Sequence, residues 1–179
     1  MKKSMPWIRC AGFLVGLAVI LGICDFCFAP SGYVRFILHE VNRKDTQYDT
    51  IILGASHARS AINPEYLDEE LGTNTLNLAI PGETVKDAYY LLKDACESND
   101  VKTVIMDVDY QYWMDEQPQG YFTEPFICQN ITNLKVKTEY LLDNWDTIDL
   151  RNVLVRRLSW DCTWSSVKQN ISTKMTEAY

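Results

Sequence analysis

Residues 10–24 read CAGFLVGLAVILGIC, 15 positions without a charge. Phe26, Phe28 and Ala29 prolong the run past a single acid, Asp25. Counted over residues 6–29, the segment reaches the ~20 residues that a helix needs to cross a bilayer core. Such a stretch has three outlets: it spans a membrane, it is removed as a signal peptide, or it is buried in a soluble core. Lys2, Lys3 and Arg9 precede it with no acid among them, which holds the N-terminus in the cytoplasm and sends the rest of the chain across. A cleaved signal peptide shares the basic start, but Phe28-Ala29-Pro30-Ser31 is a poor small-residue cleavage site. A lipoprotein signal needs a small residue before its cysteine, and Ile23 precedes Cys24. The expectation is an uncleaved signal anchor over residues 1–30, with the remainder outside the cytoplasm.

That remainder is acidic. Of 17 basic residues the first 30 positions hold Lys2, Lys3 and Arg9, and of 24 acidic residues they hold Asp25, which leaves 14 against 23. A surface with that balance repels nucleic-acid phosphates, and no basic stripe interrupts it, so nucleic acid is set aside as a partner. With 47% hydrophobic and 23% charged residues in a chain of 179, the composition is that of one folded domain behind the anchor. Cys96, Cys128 and Cys162 lie in that domain, an odd number without CxxC spacing, so one disulfide is the most that can form. His39 and His57 are the only histidines, and no zinc-type cluster exists; neither a metal nor another cofactor is expected. Asn130-Ile131-Thr132 and Asn170-Ile171-Ser172 match the glycosylation sequon, a short pattern that is common by chance.

Local patterning then gives an order of elements. Val34, Ile37, Leu38 and Val41 recur at helical spacing, which predicts a juxtamembrane helix within residues 31–47. Tyr48-Asp49-Thr50-Ile51-Ile52-Leu53 is a short β-branched run that stops at Gly54, the mark of a buried strand. Asn63-Pro64 supplies a cap and a first-turn proline for a helix that Gly72 ends. A second strand covers residues 75–80 and breaks at Pro81-Gly82. Residues 84–96 place Val85, Ala88, Tyr89, Leu92 and Ala95 on one helical face, and residues 102–108 form a third strand. Strand and helix in alternation with short connections predict a parallel sheet with right-handed crossovers. Residues 133–142 and 148–158 look helical, and residues 159–179 show no strand.

Ligands in such sheets bind beyond the carboxyl ends of the strands. Three segments fall there: Gly54-Ala55-Ser56-His57-Ala58-Arg59-Ser60, then Asn77-Leu78-Ala79-Ile80-Pro81-Gly82-Glu83-Thr84, then Asp107-Val108-Asp109-Tyr110. Ser56 lies where the first strand turns, which would expose its hydroxyl. As a nucleophile it needs a base to take its proton and donors to hold an oxyanion. Gly82 has no side chain to keep a backbone N–H away from that site. A plainer reading makes Gly-x-Ser a tight turn and a helix start.

The segments Ile52-Leu53-Gly54-Ala55-Ser56-His57 and Asn77-Leu78-Ala79-Ile80-Pro81-Gly82 resemble the first two blocks of the SGNH (GDSL-like) hydrolases. The nearest branch is that of membrane-anchored members acting on cell-envelope polymers, similar to D-alanine transfer and alginate O-acetylation proteins. The resemblance covers residues 48–112 and implies a flavodoxin-like three-layer α/β fold. It makes Ser56 the nucleophile and a first oxyanion donor, and Gly82 a second donor. The family's third block ends in an asparagine, whereas here the strand runs into Asp107-Val108-Asp109-Tyr110. Alternate strand residues face opposite ways, so one aspartate faces the site, and Asp109 at the strand end is the choice.

The family's base comes from a C-terminal Asp-x-x-His, and both histidines here precede residue 60. The expectation is therefore the N-terminal portion of a longer enzyme. His57 directly follows Ser56 and would point away from it. An α/β-hydrolase elbow would want glycine where Ala58 stands. Arg59 is the candidate contact for an anionic polymer, with a salt bridge to Glu65 or Asp68 as the alternative. Tyr110, with Tyr112 and Trp113, would stack on a sugar, or simply pack. The function expected is an exported esterase or O-acyltransferase on a cell-envelope polysaccharide, with a membrane-bound O-acyltransferase as partner in the transfer version. The rival is a tethered scaffold that kept the fold without the chemistry.

Overall fold

A computed structural model describes residues 6–29, 32–108, 123–148, 153 and 162–176. The chain divides into two compact units, Gly32–Leu154 and a second that joins Met1–Ser31 to Val155–Tyr179.

The second unit contains α1 (Pro6–Phe28) and α8 (Trp164–Met175), which pack against each other. Within α1, residues Trp7–Phe28 form a helix of 22 residues, about 33 Å at 1.5 Å per residue, long and apolar enough to cross a membrane. Its side chains stay uncovered: Trp7, Phe13, Leu14, Val15 and Ile20 are all exposed. A helix in a soluble core would bury that surface, and none of the most apolar stretch of α1 is buried.

The unit Gly32–Leu154 is mixed α/β. Its sheet has three parallel strands, β1 (Thr50–Leu53), β2 (Thr75–Asn77) and β3 (Thr103–Met106), in the order β2-β1-β3. Thr50 pairs with Thr75 on one side and with Thr103 on the other, which sets the register of both ladders. Around the sheet lie α2 (Tyr33–Glu40), α3 (Ser56–Ala61), α4 (Pro64–Leu71), α5 (Val85–Ser98), α6 (Thr123–Asn130) and α7 (Leu134–Asp143). The expected helix within residues 148–158 falls almost wholly outside the described residues.

β1 is buried at all four positions, and its alternating side chains serve two apolar clusters. Ile51 and Leu53 join Ile37 and Leu38 of α2, Ala88 and Leu91 of α5, Ile127 of α6, and Val136 and Tyr140 of α7. Ile52 joins Ala58 of α3 and Ala79, with Ile62, Leu67 and Ile105 against them. Each fully buried Ile or Leu contributes about 1.5–3 kcal/mol relative to exposure.

Local chemistry starts and stops the helices. Asn63 accepts the Glu65 N–H ahead of Pro64, and Gly72 ends α4. Thr84 and Asp87 form a reciprocal capping box on α5. α2 stops at Glu40, short of the expected 47, where Asn42 turns its amide onto the Leu38 carbonyl (3.0 Å) and Asp94 (3.0 Å). Its Ile37 and Leu38 belong to the core of the sheet rather than to a membrane surface. β2 ends at Asn77 rather than 80, yet Leu78 N–H still donates to Ile52 O and Ile80 N–H to Gly54 O.

All six cysteines are free, so no disulfide forms. Burial pushes the Cys128 thiol up to about 11. Both sequon asparagines are buried and donate from Nδ2, Asn130 to Phe126 O and Asn170 to Cys27 O, so neither can carry a glycan in this fold.

Candidate functional site

The order β2-β1-β3 puts the point where the chain reverses direction across the sheet between β1 and β3, the usual ligand position in open α/β folds. Gly54, Ala55 and Ser56 leave the end of β1 at that point. Ala55 is the extended N-cap, and Ser56 opens α3 with its side chain exposed. Only glycine fits at 54: its φ is +148°, and an added Cβ would lie 2.7 Å from Ala58 Cβ and 2.9 Å from Asp107 Cβ. The loops after β1 and β3 therefore touch at this residue.

The loop after β2 is locked to the same place. Ile80-Pro81-Gly82-Glu83 is a β-turn closed by Glu83 N–H to Ile80 O at 2.9 Å, with Gly82 at φ +74° where a type II turn requires glycine. The Glu83 side chain then folds back beneath both loops. One carboxyl oxygen accepts Gly54 N–H (3.3 Å) and the other accepts Ile80 N–H (2.9 Å). Glu83 is 4% exposed. Burial raises its carboxyl well above the usual glutamate range; the Ile80 and Gly54 N–H groups oppose that and the Asp87 charge adds to it.

Asn77 fixes α3 from the neighbouring strand. Its Nδ2 donates to Ala58 O and Ile62 O, both at 3.1 Å, and its Oδ1 accepts Ala79 N–H at 3.2 Å. The end of the short helix that begins with Ser56 thus hangs on β2. Tyr33 of α2 closes the arrangement by donating its hydroxyl to Asn77 O at 3.0 Å. The Arg59 guanidinium lies 4.8 Å from the Tyr33 ring centroid, a cation–π contact. Burial raises the Tyr33 phenol, Arg59 lowers it and Glu83 raises it.

Ser56, Gly82 and Asp107 are thus carried on three loops tied together at Gly54. Arg59 is exposed, and no ion pair joins it to Glu65 or Asp68 among the described residues. Asp109 and Tyr110, with Tyr112 and Trp113, lie outside the described residues. His57 is exposed on α3, one position and hence about 100° of helix beyond Ser56, and His39 is exposed on α2. Among the described residues no cluster of His, Cys, Asp and Glu has the makings of a metal site.

Glu83, Asn77 and Tyr33 are the residues that local pattern reading passes over. Asn77 carries a signal, as the one amide within an apolar strand. Glu83 and Tyr33 carry none, because an acid after Pro-Gly and a tyrosine starting a helix read as surface. Comparison with family models, with curated proteins and with solved structures gave no match.

Proposed function

We propose that this chain is a membrane-tethered, SGNH-like serine esterase or O-acyltransferase acting on a cell-envelope polysaccharide outside the cytoplasm. The position of Ser56 carries the reading. It is exposed on the first turn after the central strand, at the crossover point of the sheet, with the Gly82 turn held to the same loop through Glu83. Ser56 Oγ attacks the acyl carbonyl as its proton passes to a base, and the tetrahedral oxyanion takes N–H bonds from the Ser56 and Gly82 loops. Collapse expels the alcohol and leaves an acyl-serine. Water or a sugar hydroxyl then removes the acyl group, which separates esterase from transferase. In the transferase version a membrane-bound O-acyltransferase supplies the acyl group.

The reading places the N-terminus in the cytoplasm, from Lys2, Lys3 and Arg9, and α1 across the cell membrane. Arg59, exposed beside the serine loop, would meet an anionic polymer. Asp109 would orient a base, and Tyr110 would stack on a sugar.

A second reading has its own observation. His57 lies about 100° around α3 from Ser56, and the third loop offers aspartate where a hydrolase offers asparagine. That favours a scaffold of the same fold. Fluorophosphonate labelling of the full chain in detergent separates the two. Labelling that disappears in Ser56→Ala supports the enzyme, whereas a cooperatively melting chain that never labels leaves the scaffold.

A further inference from the structure

α8 presents three faces. The buried one carries Asn170 and Lys174, and both reach the end of α1. Asn170 Nδ2 donates to Cys27 O at 3.3 Å. Lys174 Nζ donates to Phe26 O and Ala29 O, each at 2.7 Å, and sits 5.5 Å from the Phe26 ring centroid. A lysine on the last carbonyls of a helix complements its dipole. The second face is polar and exposed, with Ser165, Gln169 and Ser172.

The third face is apolar and also exposed. Trp164, Ile171 and Met175 are 82%, 36% and 75% exposed. At 3.6 residues per turn, positions 0, 7 and 11 fall within about 40° of one another and form one stripe. A helix on a watery surface turns its apolar side inward. α8 does the reverse, with amide and ammonium inward and the indole outward.

α1 accounts for the reversal. Its side chains are exposed and apolar, and the carbonyls that Lys174 holds are its last, so α8 lies at the level where the span ends. We propose that α8 is an interfacial helix of the same bilayer, with Trp164, Ile171 and Met175 among the acyl chains and Lys168 toward lipid phosphates. Tryptophan favours that depth, and the helix WSSVKQNISTKM carries no acid to repel an anionic leaflet and leaves Lys168 exposed to meet it. The inference rests on the membrane reading of α1, and adds a second element of the chain that contacts lipid.

The test uses the full chain in vesicles of phosphatidylcholine and phosphatidylglycerol. Two single-tryptophan variants retain Trp164 or Trp7, with the others replaced by Phe, and each is checked for a cooperative melt. Lipids brominated near the headgroup or near the chain end act as quenchers. The Trp164 variant is expected to emit to the blue and to be quenched by the shallow bromolipid at least about two-fold more than soluble tryptophan amide. Quenching of Trp7 without quenching of Trp164 keeps the anchor and overturns the inference for α8. If neither is quenched, both fall. Trp164 quenched only by the deep bromolipid also overturns an interfacial position.

Discussion

β1 and β3 are neighbours, paired residue for residue from Thr50↔Thr103 to Leu53↔Met106, and both are short β-branched runs. β1 is buried throughout, whereas Thr103, Val104 and Met106 of β3 are exposed and Ile105 is half-buried. Composition makes a strand, then, while its neighbours decide its burial. β1 has a strand on each side and apolar clusters above and below, and β3 stands at the edge of the described sheet.

The largest effect that bears on this contrast belongs to Ile51→Ala, which empties a fully buried position in β1. It should cost about 2–5 kcal/mol, read by thermal unfolding of the full chain in micelles. A loss below about 1 kcal/mol would mean that β1 is no more central than β3. Next comes Asn77→Ala, which strips the Ala58 and Ile62 carbonyls of their donor and should cost roughly 1–3 kcal/mol. If Ser56 is the nucleophile proposed above, its fluorophosphonate labelling should fall as α3 loosens.

Glu83 gives a smaller effect, visible only against pH. Its carboxyl is raised by burial, so the native state keeps a proton that the unfolded chain releases above the ordinary glutamate value. The stability tied to this group is complete below that value and is lost as pH rises through the raised one. Glu83→Gln should flatten the fall in melting temperature between mildly acid and neutral pH; an unchanged slope would show that Glu83 is charged in the fold. The smallest effect belongs to the edge strand, where Val104→Ser should change stability by less than about 0.5 kcal/mol in the same melt.

The backbone plan is readable in the sequence because it is written locally. Three β-branched runs, the Asn63-Pro64 start, Thr84 and the two glycines at 72 and 82 each act within a few residues of themselves. α2 is readable as a helix but not in extent, since its end depends on Asn42 reaching Asp94, 52 positions away. The site divides the same way. Ser56 and Gly82 declare themselves by what precedes them, while the Tyr33 hydroxyl meets Asn77 across 44 positions and no window around either shows it. Glu83 is harder still, because its burial comes from the packing of two loops. Arg59 has acids close by in sequence, yet it lies over a ring that the chain had passed 26 residues earlier, between positions 33 and 59.

The lysine on the end of α1 has a consequence in time. Phe26 and Lys174 are 148 residues apart, and Cys27 and Asn170 are 143 apart. At a synthesis rate of about 5–20 residues per second, the groups that close α1 are made roughly 7–30 s after the helix itself. For that interval its last carbonyls lack the donors that α8 later brings. The unit Gly32–Leu154 is fully translated before the pairing of α1 with α8 can form. Biogenesis thus orders the two units, with the sheet free to fold first and the unit of α1 and α8 finished last.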